Sequence, residues 1–382
     1  MTDPSSPAVD LPSEEKGKTE AGVYEANQFK LMMRRFRKHR AAYWCAHIVL
    51  LLYIVCLSCN FIAPYDPAKI HEDWVNVPPQ GLRFGKVDGF TLPRLYVHPY
   101  DLQIHPVTLR RVYQVDHESR VPLRFFVKGR SWKWMGIIPT TRHLFGVDEE
   151  AGETCFLLGT GGLGQDGFSR ILYGGRISLL LGLTGVSITF VLGIMLGGVS
   201  GYYGGILDLA IQRVVEILQS VPKIPIWLAM AAAIPKSWSS LQVYFAMTLI
   251  LACIGWTGLC RVVRGKMLSL REEDYARAAS LAGATESRII FVHLVPNFMS
   301  HIVASLSLAV PGMILAETSL SFLGLGLRPP IVSWGVLLQE ATVDSIVNQT
   351  WLLLPALAVI LTVLSMNFMG DGLRDAADPY AD

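Results

Sequence analysis

The sequence predicts an all-α integral membrane protein with six transmembrane helices and a small, β-rich extracytoplasmic insertion. Hydrophobic residues make up 51% of the 382 residues and charged residues only 17%, whereas soluble domains carry about 25% charged residues. The apolar residues are also concentrated in long blocks. A formal net charge of +2 excludes a strongly basic nucleic-acid-binding protein, so no nucleic acid partner is expected.

Six apolar stretches are long enough to cross a bilayer, whose hydrocarbon core requires about 20 helical residues. They are Ala42–Ile62, Ile177–Val199, Val214–Ile234, Val243–Val262, Ile302–Leu323 and Trp351–Met369. Pro222 and Pro225 are expected to break the third of them. The first stretch is too long for the apolar part of a cleaved signal peptide, so we expect it to be retained.

The regions before and after the first span have distinct compositions. Residues 1–29 are rich in Ser, Pro, Glu, Lys and Thr and are expected to form a disordered cytoplasmic tail. Residues 30–63 combine a basic amphipathic segment with the first transmembrane helix. Residues 64–175 contain strand-like runs, such as 123–128 before a turn at Gly129. Because structureless loops of this length are uncommon, they are expected to fold into the extracytoplasmic insertion.

The rest of the chain forms the predicted membrane core. Residues 176–372 hold five transmembrane helices and a connecting loop at 263–297, and residues 373–382 form the C-terminus. Short loops rich in Lys and Arg mark the cytoplasmic side of a membrane. The basic segment before the first span and the basic loop at 263–297 therefore place both termini in the cytoplasm.

The loop at 263–297 is either an ordinary connection between two spans or a short helix on which another protein docks. Asp274 or Ser269 can cap the start of a helix, alanines favour its continuation, and Gly283 ends it. Pro296 then sets the approach to the fifth span. Small residues on such a helix allow another protein to approach closely.

No catalytic or metal-binding constellation is present in the sequence. The patterns H-E-x-x-H and G-x-S-x-G are missing, as are clusters with the spacing of metal ligands. Cys56 and Cys59 form a C-x-x-C inside an apolar run, where two buried small hydrophobic residues are the simpler interpretation. The chain is therefore expected not to be an enzyme and to bind no metal or cofactor itself.

The loop resembles a segment of a known family. The run Arg277–Gly283 (R-A-A-S-L-A-G), with Pro296 beyond it, is similar to the E-A-A-x-x-x-G…I-x-L-P loop of bacterial ABC importer permeases, although Arg277 replaces a frequent Glu. In that family the loop forms the coupling helix, which sits in a groove of the ATPase subunit. The resemblance implies an ATPase-coupling role for Asp274, Tyr275, Ala278, Ala279, Gly283, Ala284 and Pro296.

Further motifs resemble those of the C-type subunit of dipeptide/oligopeptide permeases. The stretch 158–179 is similar to its L-G-T-D-x-x-G-R-D-x-x-S-R…Y-G-x-R-x-S-L motif, with Gly161 and Gln165 in place of the usual Asp and Arg. The stretch 317–335 matches the exit of its fifth span. The resemblance assigns structural signature positions to Gly159, Thr160, Gly164, Asp166, Ser169, Arg170, Gly174, Arg176, Gly324, Gly326, Trp334 and Gly335.

This resemblance implies a multi-pass permease subunit of a binding-protein-dependent ABC importer of the bacterial inner membrane, translocating di- or oligopeptides. Expected partners are a homologous second permease, two ABC ATPase subunits, an extracytoplasmic solute-binding protein and the lipid bilayer. ATP and Mg would bind to the ATPase subunits. Family members also carry oligosaccharides, opines and nickel, so these substrates stay open. A secondary transporter or a membrane sensor is a remote alternative, because neither internal repeats nor a cytoplasmic output domain is evident.

Three ionisable residues near the spans are candidates for lining the translocation path: Glu216, Lys223 and Glu317. A charge at the bilayer centre costs about 2.5–3.5 kcal/mol on insertion scales, so each of them needs a reason. Either they line the path, or Glu216 and Glu317 lie near span ends while Lys223 pairs within the bundle or extends to the interface.

Overall fold

The computed structural model describes residues 28–87, 93–107, 111–134, 138–148, 152–341 and 349–377. Most of the predicted N-terminal tail, and the last five residues of the predicted C-terminus, lie outside these ranges. The helices are α1 (Gln28–Lys38), α2 (Arg40–Leu57), α3 (Cys59–Ile62), α4 (Gly167–Tyr203), α5 (Gly205–Ser220), α6 (Lys223–Ala232), α7 (Ser240–Leu270), α8 (Asp274–Leu281), α9 (Glu286–Phe322), α10 (Trp334–Glu340) and α11 (Thr350–Ala377).

Five of these helices are long and apolar enough to cross a membrane: α2, α4, α7, α9 and α11. The third predicted span is not a single helix. α5 and α6 pass the same test only as a pair, and the pair is bent by 87°. The break falls at Pro222, because proline lacks a backbone N–H and disfavours helical geometry in the residue before it. The described residues thus contain five unbroken candidate spans, and six candidates if the bent pair is counted as one.

Glycines allow α4 to lie directly against α7. A Cβ atom added at Gly197 would lie 2.6 Å from the carbonyl oxygen of Cys260, and one at Gly193 would lie 2.7 Å from Cδ2 of Leu259. Small residues are common where membrane helices pack closely. α2, α9, α10 and α11 pack on another side of α4, around a cluster of buried residues: Val49, Cys56, Leu179, Ile314, Trp334, Leu337, Val359 and Met366.

The described residues between α3 and α4 contain strands in three small antiparallel sheets, ordered β1-β2-β5, β3-β4 and β6-β7. The strands are β1 (Arg83–Gly85), β2 (Arg94–Val97), β3 (Tyr100–Ile104), β4 (Arg111–Val115), β5 (Val121–Pro122), β6 (Arg124–Trp134) and β7 (Ile138–Gly146). Val97, Val121, Leu123, Val147 and Cys155 form a small core. Burial raises the pKa of the Cys155 thiol to about 12, so this cysteine stays protonated.

Candidate functional site

α8 is a short helix in the connection between α7 and α9. Glu273 precedes it as the N-cap residue, without a side-chain hydrogen bond. The predicted caps are wrong, because Asp274 is already the first helical residue and α7 continues past Ser269. α8 ends before Gly283, which has a φ of +79° and donates its N–H to the carbonyl oxygen of Ser280 at 3.0 Å. Glycine adopts this left-handed conformation without a steric penalty.

One face of α8 packs on the helix bundle. Ala276 is only 4% exposed and Ala279 is half-buried. Both belong to a hydrophobic cluster that includes Met267 of α7 and Ile290 and Leu294 of α9. Their short side chains let α8 approach these two long helices closely. α8 is therefore in direct contact with the end of α7 and the start of α9.

The opposite face of α8 is open. Leu281 is 90% exposed and Tyr275 is 39% exposed, and Ala278 and Gly283 are exposed beside them. A Cβ atom added at Gly283 would meet no atom within 4 Å. Within this chain, the glycine thus serves the backbone conformation rather than close packing. The exposed leucine and tyrosine next to small residues are typical of a protein contact surface.

Glu272, immediately before α8, is held by two arginines. It accepts hydrogen bonds from Nη2 of Arg277 at 2.6 Å and from Nε of Arg271 at 3.2 Å. The hydrogen bond from Arg277 lowers the pKa of the Glu272 carboxyl below its ordinary value. Arg271 also donates to the carbonyl oxygens of Gly201 at 3.2 Å and Tyr202 at 3.0 Å. The connection is thereby tied to the end of α4 as well.

The remaining predicted coupling residues lie on the α9 side of α8. Ala284 is half-buried and donates its N–H to the carbonyl oxygen of Ala279 at 3.1 Å. Pro296 is exposed in a 3-10 turn within α9. Its neighbour Asn297 donates from Nδ2 to the hydroxyl of Tyr275 at 2.9 Å. The structure thus brings the predicted coupling residues together in one connection.

An ion pair that the sequence analysis missed links α5 to α7. Arg264 donates from Nε and Nη2 to the two carboxylate oxygens of Asp208, each at 2.6 Å. Ser200 of α4 also donates to Asp208, and Gln212 donates to the Ser200 hydroxyl at 3.0 Å. Bidentate pairs of this kind are among the stronger hydrogen bonds. Because the partners are 56 residues apart, no local pattern signals them.

Replacing Asp208 with alanine is expected to destabilise the protein by about 2 kcal/mol, because hydrogen bonds to charged groups contribute about 1.5–3 kcal/mol. The matched control is Glu216→Ala. Its ion pair with Arg213 (3.0 Å) lies at the surface, with the Glu216 side chain 52% exposed, and exposed pairs contribute at most about 1 kcal/mol. The thermal unfolding midpoint in detergent measures both effects. Equal shifts of the unfolding midpoint in the two variants would show that the Asp208–Arg264 pair stabilises the protein no more than an exposed ion pair does.

The structure does not bring the three path candidates together. Glu216 on α5 and Lys223 at the start of α6 are exposed, on either side of the 87° bend. Glu317 on α9 is fully buried instead. The two exposed residues stay candidates for the path, whereas the surroundings of Glu317 suggest a different role.

Glu317 is the shared acceptor of a buried serine cluster. It accepts hydrogen bonds from the hydroxyls of Ser321 and Ser333 at 2.8 Å each, and from that of Ser178 at 3.0 Å. Each hydroxyl in turn accepts a backbone N–H, from Leu327, Val336 and Trp334, respectively. The carboxyl group therefore joins α4, α9 and the start of α10. These hydrogen bonds favour a structural role for Glu317 over a place in the lining of the translocation path.

The signature residues at 159–166 form a tight turn that fastens the insertion to the helices. Thr160 donates its N–H to the carbonyl oxygen of Val77 at 2.9 Å, and its hydroxyl oxygen accepts the N–H of Val77 at 2.8 Å. Gly164 has a φ of +72°, and a Cβ atom there would overlap the carbonyl oxygen of His71. Only glycine fits this position.

The other signature residues surround the start of α4 and the approach to α10. Asp166 caps α4 by accepting the N–H of Ser169 at 2.8 Å. Arg170 forms a bidentate pair with Glu340 of α10 at 2.6 and 2.9 Å. Five signature glycines lie where an added Cβ atom would crowd neighbouring backbone or side-chain atoms: Gly159, Gly174, Gly324, Gly326 and Gly335.

Two further signature residues make hydrogen bonds near the start of α4. Trp334 donates from its indole N–H to the carbonyl oxygen of Ile171. Arg176 donates from its guanidinium to the side chain of Asn60.

No group of three or more His, Cys, Asp or Glu residues that could hold a metal ion lies within the described ranges. α8 presents small and apolar residues on an exposed face while its other face is anchored to the bundle.

Two family models match the chain. The model of the binding-protein-dependent transport system inner membrane component matches residues 190–381, which include α8. The model of the N-terminal TM domain of oligopeptide transport permease C matches residues 27–79, which include α2 and α3. These matches confirm the resemblance predicted from the sequence motifs.

Curated relatives of the chain are permease proteins. The oligopeptide transport system permease protein OppC of Haemophilus influenzae is 37% identical over 67% of this chain and 76% of its own. The dipeptide transport system permease protein DppC of Bacillus subtilis is 36% identical over 63% of this chain and 70% of its own. The glutathione transport system permease protein GsiD of Pectobacterium atrosepticum is 39% identical over 63% of this chain and 74% of its own.

Proposed function

The chain belongs to the family of binding-protein-dependent transport system inner membrane components, and from this membership we propose that it forms one half of an ATP-driven translocation path for di- or oligopeptides. It is a multi-pass membrane permease subunit. The names of its relatives refer to oligopeptides, dipeptides and glutathione, all of which are peptides. This shared chemistry supports a peptide substrate.

The observation that carries the proposed coupling is that α8 is open on one face and anchored on the other. In this proposal the open face docks on an ATPase subunit, and ATP and Mg bind on two such partner subunits. ATP binding draws these subunits together, and α8 moves with the one that holds it. Because Ala276 and Ala279 pack on α7 and α9, both long helices follow and alternate the access of the path.

We propose that both termini and α8 are cytoplasmic and that the insertion is extracytoplasmic, where a solute-binding protein delivers the substrate. The basic residues of 263–297 support this orientation. It requires that the bent pair α5–α6 crosses the membrane once. Without that crossing, α8 and the basic N-terminal segment would lie on opposite sides, against the distribution of positive charge. A homologous second permease completes the path.

Purification of the tagged chain from its host in mild detergent tests the assembly. Mass spectrometry is expected to identify a second permease and ABC ATPase subunits in the sample. A chain that is recovered alone in repeated preparations, while folded and inserted, would contradict the importer proposal and bring back the secondary transporter.

Uptake by proteoliposomes containing the recovered complex tests the substrate. With ATP and the solute-binding protein, labelled di- and pentapeptides are expected to accumulate, and a matched experiment without ATP gives the background. ATP-dependent uptake of an oligosaccharide, an opine or a nickel complex in place of peptides would overturn the substrate but keep the coupling mechanism.

A further inference from the structure

The β6–β7 hairpin carries an excess of positive charge. Residues 124–146 include no Asp or Glu, and their basic residues are Arg124, Lys128, Arg130, Lys133 and Arg142. Two of these are neutralised from outside the hairpin, since Arg124 pairs with Asp148 and Arg130 with Asp66. Across the described ranges, no ion pair involves Lys128, Lys133 or Arg142.

Two of the remaining charges lie directly opposite each other. Lys128 of β6 and Arg142 of β7 are cross-strand neighbours, and both are exposed. Like charges in this position destabilise a pair of strands. An anionic surface outside the chain would reverse this effect, because it attracts both side chains.

Large apolar side chains are exposed on the same hairpin. Phe125 is 58%, Phe126 57% and Ile138 62% exposed. Phe126 also has a φ of +57°, a conformation that bulky residues rarely adopt. Exposed aromatic residues interspersed with Lys and Arg are typical of segments at the membrane–water interface, where the rings enter the headgroup region and the cations meet phosphates.

The hairpin lies beside the ends of two membrane-spanning segments. Phe61 belongs to α3, which continues the first span, and its ring centroid is 6.3 Å from that of Phe126 and 6.4 Å from that of Trp132. On β7, the ring of Phe145 is 5.6 Å from that of Phe168, at the start of α4. These contacts place the hairpin next to the end of α3 and the start of α4, where the chain enters and leaves the insertion.

We propose that the β6–β7 hairpin is a lipid-binding element that docks on anionic phospholipid headgroups at the membrane face where α3 ends and α4 begins. Phe125, Phe126 and Ile138 enter the headgroup–acyl boundary. Lys128, Lys133 and Arg142 pair with lipid phosphates. The hairpin thereby fixes the insertion relative to the bilayer through charge complementarity and through its contact with the first span.

Photo-cross-linking in native membranes identifies the molecule that contacts the β6–β7 hairpin. The photoreactive amino acid benzoylphenylalanine replaces Phe126 in the full chain, and the control places it at Phe84, which is 72% exposed on β1. Mass spectrometry is expected to find phospholipid adducts at position 126, at least fivefold more abundant than at position 84. A cross-link to a protein instead of lipid, no adduct, or equal lipid adducts at both positions would overturn the proposal.

A charge substitution tests the role of the cations. Lys128→Glu places a carboxylate opposite Arg142, so the hairpin itself is expected to keep its stability. The unfolding midpoint of the full chain with its copurifying subunits is measured in POPC nanodiscs and in 7:3 POPC/POPG nanodiscs. The upward shift caused by POPG is expected to fall by at least half in Lys128→Glu and to persist in Arg83→Glu, an exposed basic residue of β1. An unchanged POPG-dependent shift in Lys128→Glu would overturn the proposal. If this variant does not fold, cross-linking at position 126 still tests the proposal, because it uses a different substitution.

Discussion

Gly283→Asp is expected to reduce ATP-driven uptake at least tenfold while the protein stays folded and inserted. The new side chain collides with nothing in the chain, because a Cβ atom at Gly283 meets no atom within 4 Å, and aspartate is among the residues best tolerated at positive φ. The left-handed conformation itself costs a residue with a side chain about 1–2 kcal/mol. The new carboxylate, however, adds bulk and negative charge next to the open face of α8. Uptake and ATP hydrolysis are measured in proteoliposomes, where hydrolysis is expected to become uncoupled from transport.

Gly152→Asp is the matched control for this variant. Gly152 has a φ of +76°, is exposed, and also has no atom within 4 Å of an added Cβ atom, but it lies in the insertion, far along the chain from α8. The two variants therefore bear the same backbone strain, and only one changes the proposed docking surface. The control is expected to retain uptake within twofold. Normal uptake by Gly283→Asp, or equal losses in both variants, would show that α8 is not the coupling helix.

The sequence predicts the spans well because hydrophobicity is a local property. Each unbroken helix among α2, α4, α7, α9 and α11 contains most of one predicted apolar stretch. The bend between α5 and α6 is different. Pro222 predicts a break, but the 87° change of direction depends on how α6 packs against α7 and α9, and hydropathy carries no information on direction.

In the candidate site, too, local features are predictable from the sequence and contacts between distant segments are not. The positions of Ala278 and Gly283 follow from a short run of residues, so the sequence predicts α8 and its end almost residue by residue. The N-cap residue Glu273 was missed because Asp274, a residue type that often caps helices, is already helical, and because α7 continues past Ser269. The Asp208–Arg264 pair was also missed, because it depends on α5 and α7 lying side by side. Contacts between distant segments become visible only when the helices are placed.

Removal of the Glu317 side chain is expected to affect stability more than transport, because three buried hydroxyls donate to its carboxyl group. Glu317→Ala is expected to lower the thermal unfolding midpoint by about 10 °C. The alanine leaves the hydroxyls of Ser178, Ser321 and Ser333 without their acceptor. Each hydrogen bond to a charged group contributes about 1.5–3 kcal/mol. The midpoint shift per kcal/mol is about 2–4 °C for proteins of 150–250 residues and smaller for a chain of 382 residues. Removing a buried charge is favourable in itself, but here three donors and a cavity remain, so the loss dominates.

Glu317→Gln separates the charge from the hydrogen bonds. Glutamine has nearly the same shape, and its carbonyl oxygen can still accept from Ser321 and Ser333, while its NH2 group can donate to the Ser178 hydroxyl. The expected drop in the midpoint is therefore less than half of that in Glu317→Ala. If Glu317 instead lined the translocation path, Glu317→Gln would impair peptide uptake with little change in the midpoint. Uptake per folded complex is thus expected to stay near normal in Glu317→Gln, and a selective loss of uptake in this variant would return Glu317 to the path.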